Sequence, residues 1–530
     1  MNILIADSVS PAAVEVLRSQ DGWNVIVSSP KEFEAHLPEA DALLIRSAVT
    51  VTPQILDKAT RLRVIGRAGV GVDNVDQAAA TARGILVMNT PGGNAISVAE
   101  HTLALMLSLA RRVTRANEST KAGKWEKKKF MGTELNGKTL GLIGLGNIGM
   151  QVARRARPFD MQVIAHDPYV SPELAKDRGV EMVDLDRLYA ASDYISLHLA
   201  VTAETKNLLN REAFAKMKPG VRIINCARGE LIDQQALEEA LQSEKVAGAA
   251  LDVFSPEPPG ESPLVRHDHV IATPHIGGST EEAQETIGIR IAEQVRDYLR
   301  DGVVLNAVNM PAITAEQHAQ LQPYLELASR LGSFVVQIGT GRPKDARIVY
   351  SGNFGETNTS LIRNAALSGI LNRFLSDKAN LINAAQVAAQ RNFGVNEIRQ
   401  GRQHFSDSLS LVLATDQGEC TVEGTVFPDG SPRLLSVDGI YVETALNGHM
   451  VFMKNQDVPG VIGRVGGILG DNRINIADFS LGRRNDQQIP GGPAVAIAVV
   501  RIDEPLPKKV LEELLALDPV DFARAVELPA

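Results

Sequence analysis

The 530-residue chain is long enough for three to four domains at roughly 150 residues each, and its 44% hydrophobic and 22% charged residues are those of an ordinary folded protein. A net charge of -9, from 54 basic and 63 acidic residues, argues against a nucleic acid or an anionic membrane as the main partner, since both require a concentrated excess of Lys and Arg. The two cysteines, Cys226 and Cys420, exclude a disulfide framework and give no ligand cluster for a metal.

Met1-Asn2 leads straight into Ile3-Leu4-Ile5-Ala6, with no basic stretch followed by a long apolar one, so no secretory signal is expected. Short β-branched runs then alternate with helical patterns: strands at 3–6, 25–28, 42–45, 64–65 and 85–88, helices at 11–19, 53–59 and 75–83. That rhythm predicts βαβ units and a parallel sheet. A single long helix is expected over 96–113, leading into a second domain. Its apolar core, Thr102 to Ala110, falls short of the roughly 20 residues a bilayer span needs. The expectation is a cytoplasmic protein.

The second domain repeats the rhythm, with strands at 140–143, 162–165, 194–197, 222–225, 248–252 and 270–273 and helices at 150–157 and 234–243. A helix over 281–299 is expected to return to the first domain, making that domain discontinuous. Around 306–320 the pattern dissolves, which reads as a linker. Helical stretches at 325–331, 359–375 and 382–391 and strands at 409–413 and 421–426 follow. The last part, from His449, reads strand, helix, strand, strand, helix (450–453, 458–469, 474–481, 494–501, 508–517). The expected fold class is α/β, two Rossmann-like doubly wound parallel-sheet domains followed by two α+β domains. The expected boundaries are 1–97 with 285–312, 98–284, 320–447 and 449–530.

Gly144-Leu145-Gly146-Asn147-Ile148-Gly149 follows a strand and opens a helix, and Asp167 lies 18 residues beyond the last glycine at the next strand's end. In that context G-x-G-x-x-G is a dinucleotide signature: the backbone approaches a pyrophosphate whose charge rests on the helix N-terminus. The Asp167 carboxylate would bind a ribose diol and repel a 2′-phosphate, so NAD is favoured over NADP. Three polar stretches sit at later strand ends, Asn225 to Gly229, Asp252 to Pro258 and Thr273 to Thr280. Oxidising an alcohol by hydride transfer needs a base, and a His with a carboxylate behind it supplies one. A guanidinium grips a substrate carboxylate. His275, Glu257 and Arg228 provide one of each.

With these motifs, residues 1–310 resemble the D-isomer-specific 2-hydroxyacid dehydrogenases. The resemblance implies His275 as acid/base, Glu257 as its partner, Arg228 as substrate clamp, and Asp252 with Cys226, Ala227, Arg228, His275, Gly277 and Gly278 along the nicotinamide. Arg46 and Arg67 at strand ends, with Ser47 and Gly69, and the basic stretch holding Lys127, suit a doubly charged phosphate. Together with Asn89 to Asn94 and Trp125-Glu126 they resemble the long-form branch that oxidises 3-phospho-D-glycerate to 3-phosphooxypyruvate with NAD. In that branch the basic loop reaches the site from an adjacent subunit, which implies a homo-oligomer, by fold analogy a tetramer.

From Lys454 to Val461, with Gly466-Gly467-Ile468-Leu469 and Ile474-Asn475-Ile476, the tail resembles an ACT domain, a ferredoxin-like amino-acid-binding module. Asn455, Asp457 and Asn475 are its candidate effector ligands, and the resemblance implies L-serine; an ACT fold used only for assembly is the alternative. The stretch 321–447 resembles the branch's intervening domain, with His404 and Arg363 or Arg373 as candidate anion ligands. A glyoxylate or hydroxypyruvate reductase, and a non-catalytic NAD(H)-sensing protein on the same fold, are the rival functions. A side activity on 2-hydroxyglutarate or 2-oxoglutarate is compatible with the phosphate subsite.

Overall fold

The computed structural model describes residues 1–352, 354, 359–375, 379–401, 407–483 and 495–529. The first apolar runs form a parallel sheet of β1 (Asn2–Ile5), β2 (Asn24–Val27), β3 (Ala42–Ile45), β4 (Val64–Arg67) and β5 (Leu86–Met88), in the order β2-β1-β3-β4-β5. Every residue of β3 is buried, as in a strand covered on both faces. One cover is the helix Glu281–Asp301. Thr280 caps its start, Glu281 and Glu282 complement its dipole, and Gly302 at φ +70° ends it. It packs so closely that a Cβ on Gly66 of β4 would stand 2.8 Å from Val295 and 2.9 Å from Ile291.

The segment expected as one long helix is two. Ala95–Arg111 ends at Arg112, whose φ of +53° turns the chain out of the helical path, and Val113–Lys121 starts anew. The second helix buries none of its residues.

The next sheet is also parallel: β6 (Thr139–Ile143), β7 (Gln162–His166), β8 (Glu181–Met182), β9 (Tyr194–Leu197), β10 (Val221–Asn225), β11 (Val246–Leu251) and β12 (Val270–Ala272), ordered β12-β11-β10-β9-β6-β7-β8. The winding reverses at β6, so the crevice for a ligand opens at the carboxyl ends of β6 and β9.

The expected linker is shorter than the sequence pattern indicates. Thr314 and Gln317 form a capping box that starts a helix, Ala315–Ile338, which runs through Pro323. It lies on a six-stranded sheet, β13 (Pro343–Ser351), β14 (Gly394–Gln400), β15 (Ser408–Thr415), β16 (Gly418–Val426), β17 (Pro432–Val437) and β18 (Ile440–Ala445), ordered β14-β13-β15-β16-β17-β18. Only β13 and β14 pair in parallel. The tail adds β19 (His449–Gln456), β20 (Ile476–Arg483), β21 (Val495–Ile502) and β22 (Val520–Glu527), an antiparallel sheet ordered β20-β21-β19-β22 with helices Val461–Asp471 and Lys508–Leu515. Phe452, Val499 and Val526 of this sheet share one core cluster with Phe334, Leu411 and Leu434 of the preceding region. No helix among the described residues is long and apolar enough to cross a membrane.

Candidate active site

The glycine loop leaves β6 where the winding reverses. A Cβ on Gly144 would strike the His198 carbonyl oxygen, and one on Gly149 would strike the Gly144 carbonyl oxygen, so the tightness of the turn requires both glycines. Gly146 is different, because a Cβ there meets nothing within 4 Å. Gly146 and Asn147 are exposed, Ile148 is half-buried, and no side chain caps the Asn147–Ala156 helix that begins here. Free first-turn amides beside open space fit a pyrophosphate. Asp167, just past β7, is tied to this loop: Leu145 N–H donates to its Oδ2 at 2.8 Å and Tyr169 N–H to its Oδ1 at 2.9 Å. The donor set therefore fits a dinucleotide with an unmodified ribose. When bound, NAD supplies the hydride acceptor.

Across the crevice, the ends of β10, β11 and β12 bring the expected trio to one mouth. Glu257 Oε2 lies 2.8 Å from His275 Nδ1, and Glu257 Oε1 accepts from Phe254 N–H at 2.9 Å. The carboxylate is thus held by backbone while it holds the imidazole at Nδ1, and the His275 side chain is half exposed. His275 has φ +53°, uncommon for a side chain of its size. Arg228 is held from the other domain: its Nη2 pairs with Asp73 Oδ2 at 2.9 Å and its Nη1 donates to Ala227 O at 2.7 Å.

Asp252 is buried to 1% exposure and accepts from Ile276 N–H at 2.9 Å, Gly277 N–H at 2.8 Å and Thr273 Oγ1 at 2.6 Å. Burial alone would raise its pKa. His101, Thr273 and the two amides outweigh that and keep it below the usual carboxylate value. Cys226 is buried, and burial pushes its thiol up to about 12, so it is no nucleophile. Gly278 packs against Asn94, whose side-chain amide nitrogen would lie 2.7 Å from a Cβ there.

The phosphate candidates separate. Arg67 lies over Gly69, where a Cβ would collide with its guanidinium, and its Nη1 donates to Ala68 O at 3.2 Å. Its pKa is lowered by burial first, then by the charges of Arg228 and Arg46. Arg46 donates to Ser8 O at 2.9 Å and lines a cleft of about 250 Å³ with Ser10, Ala68 and Gln284. Ser47 is exposed. Lys127 stands 5.7 Å from the centre of the exposed Trp125 ring, and no hydrogen bond or ion pair among the described residues joins it to Arg46 or Arg67.

In the tail, Asn455 and Asp457 line a pocket of about 330 Å³ with Gly460, Val461, Phe479 and Arg483. Asn475 does not line it and instead donates to Asp503 at 2.7 Å, a correction to the expected trio within one chain. Arg483, which pairs with Asp457 at 3.2 Å, was not singled out in the sequence, nor were Asp73 and His101. All three are single polar residues without a motif, so only spatial neighbours reveal them. Arg363 already donates to Glu397 at 3.0 Å and Arg373 to Ser333 at 2.8 Å, while His404 lies outside the described residues.

The chain is similar to known proteins along its whole length. Residues 103–277 match the model of the D-isomer specific 2-hydroxyacid dehydrogenase NAD binding domain. Residues 320–438 match the D-3-phosphoglycerate dehydrogenase intervening domain, and residues 449–519 an ACT domain. It is 40% identical over 528 residues to D-3-phosphoglycerate dehydrogenase of Bacillus subtilis, covering 99% of each chain. The enzyme of that name from Methanocaldococcus jannaschii is 41% identical over 530 residues, with 100% of both chains covered.

The chain belongs to the D-3-phosphoglycerate dehydrogenase family. Two solved structures of similar enzymes cover about three fifths of it. D-lactate dehydrogenase from Aquifex aeolicus, solved with NAD and lactic acid, is 32% identical at a TM-score of 0.51 and covers 59% of this chain and 100% of its own. A glyoxylate reductase from Paecilomyes thermophila is 32% identical at 0.52, covering 58% and 98%. Members of the phosphoglycerate dehydrogenase family match the remaining two fifths as well, which separates this chain from those short enzymes.

Proposed function

We propose that the chain oxidises 3-phospho-D-glycerate to 3-phosphooxypyruvate with NAD, the first step of phosphorylated serine biosynthesis, as a cytoplasmic enzyme. The observation that carries the reading is the proximity of Arg67 to Arg228, with Arg228, Glu257 and His275 following the adjacent strands β10, β11 and β12. Burial and the charge of Arg228 disfavour the Arg67 cation, and a substrate with a carboxylate and a phosphate neutralises this concentration of positive charge. Arg46 and Arg67 hold the phosphate. Arg228 exchanges Asp73 for the substrate carboxylate and polarises the C2 oxygen.

His275 Nε2 takes the hydroxyl proton as the C2 hydride departs, and Glu257 stabilises the imidazolium that forms. Asp252, the Cys226-Ala227 backbone and Gly277-Gly278 would hold the nicotinamide end of the cofactor, which when bound would accept the hydride. Asp167 takes the adenosine ribose hydroxyls.

The exposed helix Val113–Lys121, with Trp125 and Met131 each 77% exposed, gives a second copy a surface to cover, and we infer a homo-oligomer built there. A tetramer is the expected state. Lys127, on the same exposed stretch, is placed to reach the partner's mouth. L-serine is the proposed effector of the pocket of Asn455 and Asp457, with Asn475 contributed by a second copy.

The test is NADH formation at 340 nm with 3-phosphoglycerate and a trap for the ketoacid, with and without L-serine. Turnover that serine suppresses supports substrate and effector together; turnover indifferent to serine leaves the tail to assembly. Activity with hydroxypyruvate or glyoxylate but none with 3-phosphoglycerate overturns the assignment of Arg46 and Arg67.

A further inference from the structure

We propose that His101 is a positioning residue for this reaction, acting through Asp252 on the loop that carries His275. The proposal rests on the dehydrogenase reading above. His101 lies on the helix Ala95–Arg111, its side chain only 18% exposed. Its Nε2 lies 3.3 Å from Asp252 Oδ1 and 3.2 Å from Thr273 Oγ1, and Thr273 donates to the same Oδ1 at 2.6 Å. A histidine of one element, a carboxylate at the end of β11 and a hydroxyl at the end of β12 thus form a closed triangle.

The triangle bears on His275 through the backbone. Asp252 Oδ1 and Oδ2 accept the amides of Ile276 and Gly277, and the Asp252 carbonyl accepts the His275 amide at 2.9 Å. Three consecutive residues therefore hang from one aspartate. His275 needs such hold, because a positive φ in a non-glycine residue persists only where its surroundings fix it. Thr273 and the two amides that hold the carboxylate all belong to the segment that Asp252 must hold, so they give it no anchor outside that segment. His101 supplies a donor from a separate element, the helix Ala95–Arg111, and its Cδ2 stands 3.7 Å from where a Gly277 Cβ would be, so the ring also walls the loop. With the donor gone, the carboxylate swings, and the loop that presents His275 and beds the nicotinamide loosens with it.

The experiment compares His101→Leu, which keeps bulk without a donor, with His101→Gln, which keeps a donor. All three full-length proteins are measured for melting temperature, NADH dissociation constant by nicotinamide fluorescence, and kcat and KM with 3-phosphoglycerate. A misplacement of about 1 Å at a reacting group costs on the order of a hundredfold. The expected result for His101→Leu is kcat lowered about tenfold to a hundredfold and NADH affinity weakened about tenfold, with KM for 3-phosphoglycerate unchanged. His101→Gln should recover most of both.

Wild-type kcat and NADH affinity in folded His101→Leu overturn the proposal, and so does a folded His101→Gln as impaired as the leucine variant, since ring packing alone would then be at work. Should the leucine variant not fold, His101→Asn, whose amide is too short to reach Asp252, replaces it. If the wild type turns over no 3-phosphoglycerate, the functional reading fails on its own, and the NADH affinities of the variants still decide the role of His101.

Discussion

Burial, then the charge of Arg228, lowers the affinity of Arg67 for its proton, and Asp73, which pairs with Arg228, partly offsets this. A bound dianion completes this arrangement, and removing one charged donor to it costs about 1.5–3 kcal/mol. Arg67→Ala should therefore raise KM for 3-phosphoglycerate about tenfold to a hundredfold and leave NADH affinity as it was; an unchanged KM would take Arg67 out of the phosphate subsite. His275→Ala should lower kcat by roughly 10²- to 10⁴-fold, the scale of acid-base catalysis, measured under saturating NAD. The cysteines give a third expectation. Burial pushes both Cys226 and Cys420 up to about 12, so each keeps its proton at neutral pH. Iodoacetamide at pH 7.5 should add no mass to the native protein and two adducts after denaturation.

Two glycines three positions apart, Gly146 and Gly149, divide the element that binds the dinucleotide. Gly149→Ala drives a Cβ into the Gly144 carbonyl, and overpacking of this kind costs about 1–3 kcal/mol. Gly146→Ala meets open space. The expected outcome is a lowered melting temperature and lost NADH binding for the first, and an unchanged melting temperature with lost NADH binding for the second. This loop was legible in the sequence because strand, glycines, helix and acid fall at fixed offsets, and so were His275, Glu257 and Arg228, each just past a strand. Other elements hid for physical reasons. β14 is mostly exposed and so carries no apolar run to see. β17 and β18 did leave a signal: Asp438-Gly439, with φ of +49° and +75°, is the two-residue turn of a hairpin. The break at Arg112 left none, since nothing in a charged pair announces a left-handed residue. His101 and Asp73 stayed hidden because their partners are more than a hundred residues away.

The whole molecule divides unevenly. Buried residues of four core clusters all come from residues up to Val304, whereas the largest cluster runs from Ile313 to Leu528 through both later sheets. The later part also grips the turn that leads from the helix Gln77–Ala82 into β5: Asn380 donates to Gly84 O at 2.8 Å and Asn383 to Ala82 O at 3.2 Å. A chain ending at 314 should fold and bind NADH, while one ending at 447 should aggregate, because it uncovers the side of the core that Phe452 and Val526 complete; light scattering of the two tells them apart. The strand that closes this core is β22, the last in the chain, paired along β19. In genetic terms, a stop codon placed within β22 would not trim a tail; it would unmake the folded state of everything after the dehydrogenase.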